Sequence, residues 1–348
     1  MNSRIVLHLP ARPGHPRNSE GAFVTLRDDR ILFAYSHYVG DDWGDHARAV
    51  IAARESADGG RTWSADDRIL VAQEGDCNVM SVSLLRLHDG RVALFYLRKN
   101  STADCRLHLR SSTDEGASWS EPVCCNPPPG YFVTHNDRVV QLASGRLIAP
   151  ASFHRPSHGG ETAFFFSGDA GHTWREGPQR LQVSADIASG LQEPGVIERR
   201  DGSLYGWART DTGRQWEFAS TDGGATWSTP RPSRFAAPLS PLSIRNLGSP
   251  AAPLWLAVWN NPASPPVGET VWGKNSSWGR TPLVAAWSHD EGATWSAPLM
   301  IEDDPARGFC YTAIHRTGDA VLLAYCCGGR GTAVLQDLCI RRLTDFIP

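Results

Sequence analysis

No apolar run in this 348-residue chain approaches the ~20 residues that a membrane-crossing helix needs, which excludes a helical span. The first residues, MNSRIVLHLPARPG, lack the apolar core of a secretory leader, so a cytoplasmic location is expected. Charge of either sign is not in excess: the formal net charge is −3, with 20% charged residues, and there is no basic field for a nucleic acid. Neither nucleic acid nor a membrane is expected as a partner. The eight cysteines include the neighbours Cys124-Cys125 and Cys326-Cys327 but show neither disulfide-framework nor zinc-site spacing, which favours reduced thiols and no metal. GGRGTA at 328–333 has neither the lysine nor the strand–loop–helix setting of a phosphate loop. His135-Asn136-Asp137-Arg138 contains triad-like residue types, yet no serine sits in a nucleophile elbow. No organic cofactor is implied.

What the chain does have is an octet, Ser-x-Asp-x-Gly-x-Thr-Trp, repeated five times. The copies start at Ser56, Ser112, Ser167, Ser220 and Ser288 and end at Trp63, Trp119, Trp174, Trp227 and Trp295, with Ser118 replacing the Thr of the second. Four starts are roughly 55 residues apart, the size of one four-stranded propeller blade. Before each of the first four octets lies a pair of β-rich runs; VTLRDDRILFAY, LLRLHDGRVALFY, VVQLASGRLIAP and VIERRDGSLYGWA read as hairpins. A third strand leads into the octet, which is then the turn between the third and fourth strands. Its Asp accepts from turn amides, Gly supplies a positive φ, and Trp packs back between strands, so Asp58 and its counterparts are structural. After the fifth octet come one more hairpin, CYTAIHRTGDAVLLAY, and a third strand, TAVLQDLCIRRL. The missing fourth strand is matched by an unassigned β-segment at Arg4–Leu9. The expected architecture is therefore all-β: one domain over 1–348, a six-bladed β-propeller of four-stranded antiparallel blades whose ring the N-terminal strand closes.

In a propeller, the first strand of each blade lines the central channel. Counting back nine residues from the hairpin turns at Asp29, Gly90, Gly145 and Gly202 lands on Glu20, Ser81, Asn136 and Glu193, and the shorter last hairpin puts Tyr311 at the same level. Five polar residues at one level of otherwise apolar strands point to a binding site; a wet channel without a ligand is the alternative.

The octet is the Asp box, or bacterial neuraminidase repeat, and the whole chain resembles the sialidase superfamily. Gln192-Glu193-Pro194-Gly195 runs on to Asp201-Gly202 and to Arg209, sixteen residues after Glu193, as in that family. The resemblance implies that Glu193 is the base that activates the nucleophile and Arg209 a ligand of the substrate carboxylate. Arg280, eight residues before Ser288, matches another carboxylate-binding Arg. Tyr311 lies in the segment similar to the one carrying the nucleophilic Tyr. Asp45, in the insertion Gly40–His46 and eleven residues before Ser56, matches the acid/base Asp, with Asp41 and Asp42 as neighbours in the same loop. One departure stands out. Where the family opens its first strand with Phe/Tyr-Arg-Ile-Pro, this chain has Asn18-Ser19-Glu20-Gly21, leaving Arg17, Arg138 or Arg98 as replacement cations. Trp43, and Trp272 and Trp278 of the long insertion before Arg280, are candidate apolar walls.

The resemblance implies an exo-acting retaining glycosidase that removes terminal sialic acid through a covalent tyrosyl intermediate, with sialylated or other acidic glycans as partners. A sialic acid carries its carboxylate on the anomeric carbon, so clustered guanidinium forks suit it and a neutral Tyr avoids the repulsion a carboxylate nucleophile would meet. Two alternatives stay open: an enzyme of this fold acting on another acidic sugar, and a non-catalytic glycan-binding propeller.

Overall fold

The computed structural model describes residues 2–155, 158–249, 251–264, 267–268, 273–274 and 276–346, and among these it contains strands and turns but no α-helix. β1 (Asn2–Leu9) precedes a meander of β2 (Asn18–Thr25), β3 (Ile31–Tyr38), β4 (Ala49–Ser56) and β5 (Arg68–Val71). Next come β6 (Asn78–Arg86), β7 (Val92–Lys99), β8 (Cys105–Ser112) and β9 (Val123–Cys124), then β10 (Tyr131–Val133), β11 (Val140–Gln141), β12 (Leu147–His154), β13 (Glu161–Ser167) and β14 (Arg175–Glu176). β10 pairs with both β8 and β12, so these nine strands count as one sheet. Two further four-stranded sheets are β15 (Gln192–Glu198), β16 (Leu204–Arg209), β17 (Arg214–Ser220) and β18 (Arg231–Ala236), and β19 (Ser243–Asn246), β20 (Trp255–Asn260), β21 (Leu283–Ser288) and β22 (Leu299–Glu302). The last sheet joins β23 (Cys310–Thr317), β24 (Ala320–Cys326) and β25 (Leu338–Thr344) to β1, which runs antiparallel to β25 from Asn2↔Thr344 to Leu9↔Leu338.

The middle strands are apolar on both faces because each sheet is sandwiched between two others; every residue of β3 is buried. Leu32 and Ala34 of β3 pack with Val79 and Leu94 of the next sheet. Phe23 and Phe33 of the first meander pack with Leu322 and Ala324 of the last sheet. Each octet is the turn after the third strand. Thr62 N and Oγ1 donate to the Asp58 carboxylate at 2.9 and 2.7 Å, and Gly60 N donates to Ser56 Oγ at 2.9 Å. The same Thr-to-Asp bonds recur at Asp169, Asp222 and Asp290, and Ser118 makes them to Asp114. These bonds hold the turn carboxylates within the turns, and none of the five lines the cavity described below. Trp227 stacks on Phe164 with ring centroids 4.2 Å apart and is buried, as is Trp174, while Trp63, Trp119 and Trp295 pack half-buried against the core.

One irregularity repeats and aims the site. Pairing slips between Ser19/Ala22 in β2, Met80/Ser83 in β6, Gln192/Gly195 in β15 and Cys310/Ala313 in β23. The residue at the head of each bulge has a left-handed φ: 54° at Glu20, 56° at Ser81, 49° at Glu193 and 61° at Tyr311. A bulge re-aims a side chain that a regular strand would bury between sheets, and a non-glycine residue held there stores of order 1–3 kcal/mol of strain.

Candidate active site

The four bulge residues face one cavity of about 500 Å³, together with Asp45, Arg209, Arg280, His135 and Lys99. Tyr311 is part of its wall. The phenol donates to Glu193 Oε1 at 3.1 Å, and Arg209 Nη1 lies 3.5 Å from the phenol oxygen. Glu193 Oε2 pairs with Arg209 Nη1 at 2.9 Å, and Gln192 Oε1 accepts from Arg209 Nε and Nη2 at 3.2 and 3.0 Å. The Arg280 guanidinium lies 5.3 Å from the Tyr311 ring centroid and 5.6 Å from that of Trp278, and its Nη1 donates to Cys310 Sγ at 3.1 Å. Burial and the adjacent Glu193 charge push the Tyr311 phenol well above its ordinary range, against the pull of Arg209 and Arg280. A phenol so placed gives up its proton only to a neighbouring base.

The second group surrounds Arg17. Its Nη1 contacts Asp45 Oδ1 at 2.6 Å, its Nη2 lies 3.5 Å from Glu20 Oε1, and Ser81 Oγ donates to Glu20 Oε2 at 3.0 Å. Burial raises the Glu20 carboxyl, partly offset by Arg17. Desolvation also works upward on Asp45, but Arg17 and Lys99 outweigh it and hold that carboxyl low. The Asp45 side chain is 58% exposed at the cavity mouth, so water softens all of these influences. The loop carrying it is pinned through the Asp45 carbonyl, which accepts from Asn78 Nδ2 at 2.9 Å and Lys99 Nζ at 3.0 Å.

Several sequence expectations are placed differently. Asn136 is not in the cavity wall: its amide donates to the Gly21 and Tyr311 carbonyls at 2.7 and 3.1 Å, fastening β2 to β23. The left-handed residue of that segment is Asp137, one position later, paired with Arg245. Arg138 lines a separate cavity and donates to the Leu242 carbonyl at 2.6 Å, so it does not replace the missing first-strand cation. Arg98 is likewise not in the wall, whereas its neighbour Lys99 is. Trp43 and Trp278 line the cavity; Trp272 lies outside the described residues. Lys99 carried no motif. The available signal was scarcity, since lysine occurs only twice, at Lys99 and Lys274. Among the described residues there is no cluster of side chains able to hold a metal ion.

Residues 78–323 match the family described as BNR repeat-like domain. The chain is 33% identical over 132 residues to an anhydrosialidase of Macrobdella decora, covering 35% of this chain and 16% of that protein. It is 25% identical over 225 residues to a sialidase of Bacteroides fragilis, covering 62% of this chain and 38% of that protein. The chain thus spans well under half the length of the curated relatives it matches. A Trypanosoma rangeli sialidase, solved with 2,3-difluorosialic acid as a covalent intermediate, superposes with a TM-score of 0.71 at 16% identity, covering 94% of this chain and 54% of that one; this shows a shared fold. Five Asp boxes, a family match over more than half of the chain and this fold together place the chain in the BNR repeat-like domain family of the sialidase (neuraminidase) superfamily.

Proposed function

We propose that the chain is a glycosidase of the sialidase fold that removes a terminal acidic sugar with retention of configuration, sialic acid being the first substrate to test. In this reading the nine-stranded sheet is two blades linked by β10, six blades surround the channel, and β1 closes the ring. The observation that carries the functional reading is the Tyr311–Glu193–Arg209 contact chain with Arg280 over the Tyr311 ring, all in one cavity wall.

Arg209 and Arg280 hold the substrate carboxylate, fixing the anomeric carbon near Tyr311. The Tyr311 oxygen attacks that carbon while its proton passes to Glu193, and Asp45 donates a proton to the departing glycosidic oxygen. Arg17 holds Asp45 as the carboxylate in the open site, so the proton that Asp45 donates is one taken up from solvent when the substrate displaces Arg17 from it. Asp45 then takes a proton from the water that releases the sugar, and Glu193 returns its proton to Tyr311. The test is fluorophore release from an umbelliferyl sialoside, with Tyr311→Phe expected to abolish it. Turnover that survives in Tyr311→Phe refutes the assignment.

A second reading is an enzyme of this fold on another acidic sugar. Glu20, not a cation, heads the β2 bulge, and Arg17 is turned to Asp45 and Glu20. Activity on umbelliferyl hexuronides without activity on the sialoside would select it. Glycan binding unchanged in Tyr311→Phe, with no turnover of any glycoside, would select a non-catalytic propeller instead.

A further inference from the structure

Arg280, one of the two cations proposed to hold the substrate carboxylate, is itself held by sulfur. Its Nη1 donates to Cys310 Sγ at 3.1 Å and its Nη2 to the Leu239 carbonyl at 3.3 Å. Cys310 stands directly opposite Cys326 in the β23–β24 pairing, and the Cys326 thiol donates a hydrogen bond to the same Cys310 sulfur. Two donors thus converge on one sulfur, and one of them is a guanidinium. Arg280 and Cys310 are each 1% exposed, and Cys326 is fully buried. The surroundings are apolar: both cysteines pack in one cluster with Trp278, Ala333, Val334 and Leu335. Water cannot balance a charge there, so the guanidinium is best matched by an anion in contact with it. A neutral thiol is a weak acceptor, whereas a thiolate is a full anion that an adjacent arginine stabilises. Burial opposes ionisation of Cys310, and so does Glu193. The Cys326 hydrogen bond and the Arg280 charge outweigh both and hold the thiol below its ordinary value.

We propose that Cys310 is a thiolate in the open site, the positioning residue of Arg280, and that it takes up a proton when a carboxylate binds Arg280. The two anions compete for one guanidinium. A carboxylate arriving at Arg280 brings a second negative charge close to the sulfur, and a proton from solvent relieves the repulsion by forming an S–H bond. No other bond changes. Glu193 and Tyr311 also act on the Arg280–Cys310 pair, and Glu20 and Arg17 act on Cys326, so a variant at Cys310 is needed to isolate its share of any pH dependence. With one proton taken up per carboxylate bound, Kd rises by about tenfold per pH unit between the sulfur's pKa in the open site and its higher pKa in the loaded one. Affinity therefore weakens as pH rises through that window. The proton uptake rests on the reading that Arg280 receives the carboxylate of an acidic sugar; the ion pair does not.

The test reads the sulfur first and binding second. A thiolate has an ultraviolet absorbance band that a thiol lacks, and at pH 7 an ordinary thiol of pKa ~8.5 is only a few per cent ionised. The wild-type chain is expected to show the band of about one thiolate, and Cys310→Ser to lack it. Arg280→Gln keeps the sulfur but removes the cation, and should lack the band as well; it carries the comparison if Cys310→Ser melts below the assay temperature. Calorimetry with N-acetylneuraminic acid and with glucuronic acid, each in two buffers of different ionisation enthalpy, then counts the protons taken up on binding. The wild type should take up more than Cys310→Ser, by up to about one proton, and its Kd should climb with pH where that of Cys310→Ser stays closer to level. A cysteine that only fills space moves neither readout. No thiolate band in the wild type, a band that survives in Arg280→Gln, or equal proton uptake in the wild type and Cys310→Ser overturns the proposal. A band lost in both variants, with neither acid binding, upholds the ion pair and refutes only the acidic-sugar reading.

Discussion

Replacing Glu193 by Gln separates a catalytic base from a structural ion pair. In the wild type one carboxylate oxygen accepts from the Tyr311 phenol at 3.1 Å and the other pairs with Arg209 at 2.9 Å. A phenol has a reference pKa near ~10, so at pH 7 only about one in a thousand is ionised even before burial acts on Tyr311. A positioned base contributes about 10²–10⁴-fold, or ~3–5.5 kcal/mol of barrier, and Gln cannot take a proton. The expected fall in kcat is therefore about 10²–10⁴-fold. Binding should respond differently. Arg209 keeps Gln192 as a partner and loses its competing anion, so the substrate carboxylate finds it at least as available, and KM should stay level or drop. The Arg209 and Glu193 side chains are only 11% and 9% exposed, so loss of the charge pair should also destabilise the fold. With the Gln oxygen retained, about 1–3 kcal/mol is expected, lowering Tm by roughly 1–4 °C for a chain of this length. Steady-state kinetics on an umbelliferyl glycoside that the wild type hydrolyses, with a melting curve on the same sample, reads all three. An unchanged kcat with a raised KM would refute the reasoning and make Glu193 a structural partner of Arg209.

Three further outcomes are expected. Asp45→Asn should lose about 10²-fold or more on a glycoside with a sugar leaving group but much less on an umbelliferyl one, which departs without a proton; equal losses on both would remove Asp45 from the acid role. Gly21→Ala should be destabilising by ~1–3 kcal/mol in urea unfolding, since a Cβ there would sit 2.4 Å from the Phe33 ring and 2.7 Å from the Ala34 carbonyl, and should lower activity by displacing Glu20; wild-type stability would show that the β2 bulge relaxes freely. Hydrogen bonds from Thr173, Thr226 and Thr294 hold the Asp169, Asp222 and Asp290 carboxyls down at about 2, below their unfolded value. Their stabilisation is therefore full above about pH 4 and is lost as pH falls through 2. The triple Asp→Asn variant should melt lower at pH 7 and show a flatter decline between pH 4 and pH 2; a decline parallel to the wild type would contradict this.

The parts of the site legible in the sequence were those that repeat. Glu20, Ser81, Glu193 and Tyr311 stand at one register because each heads the same bulge at a nearly fixed distance from a hairpin turn, and a count along the chain finds them. The count slipped by one at Asn136 because the strand there is broken into β10 and β11, and Asp137 takes the left-handed position. Contacts between distant segments left no periodic trace. Arg17 reaches Asp45 across 28 residues, Lys99 reaches the Asp45 carbonyl across 54, and His135 stacks on a tyrosine from another sheet. Such contacts depend on side-chain direction after the sheets have packed. The β1 strand was foreseeable for the opposite reason: an unpaired β-segment and a sheet one strand short imply each other.

The central claim is that Tyr311 forms a bond to the sugar. Its most direct test is peptide mass spectrometry of the chain after incubation with 2,3-difluorosialic acid or its fluorinated hexuronic counterpart, whichever matches the glycoside it hydrolyses. The account predicts a glycosyl adduct on the peptide carrying Tyr311, absent in Tyr311→Phe. An adduct on Glu193, Glu20 or Asp45, or continued hydrolysis with no adduct at any residue, would contradict it.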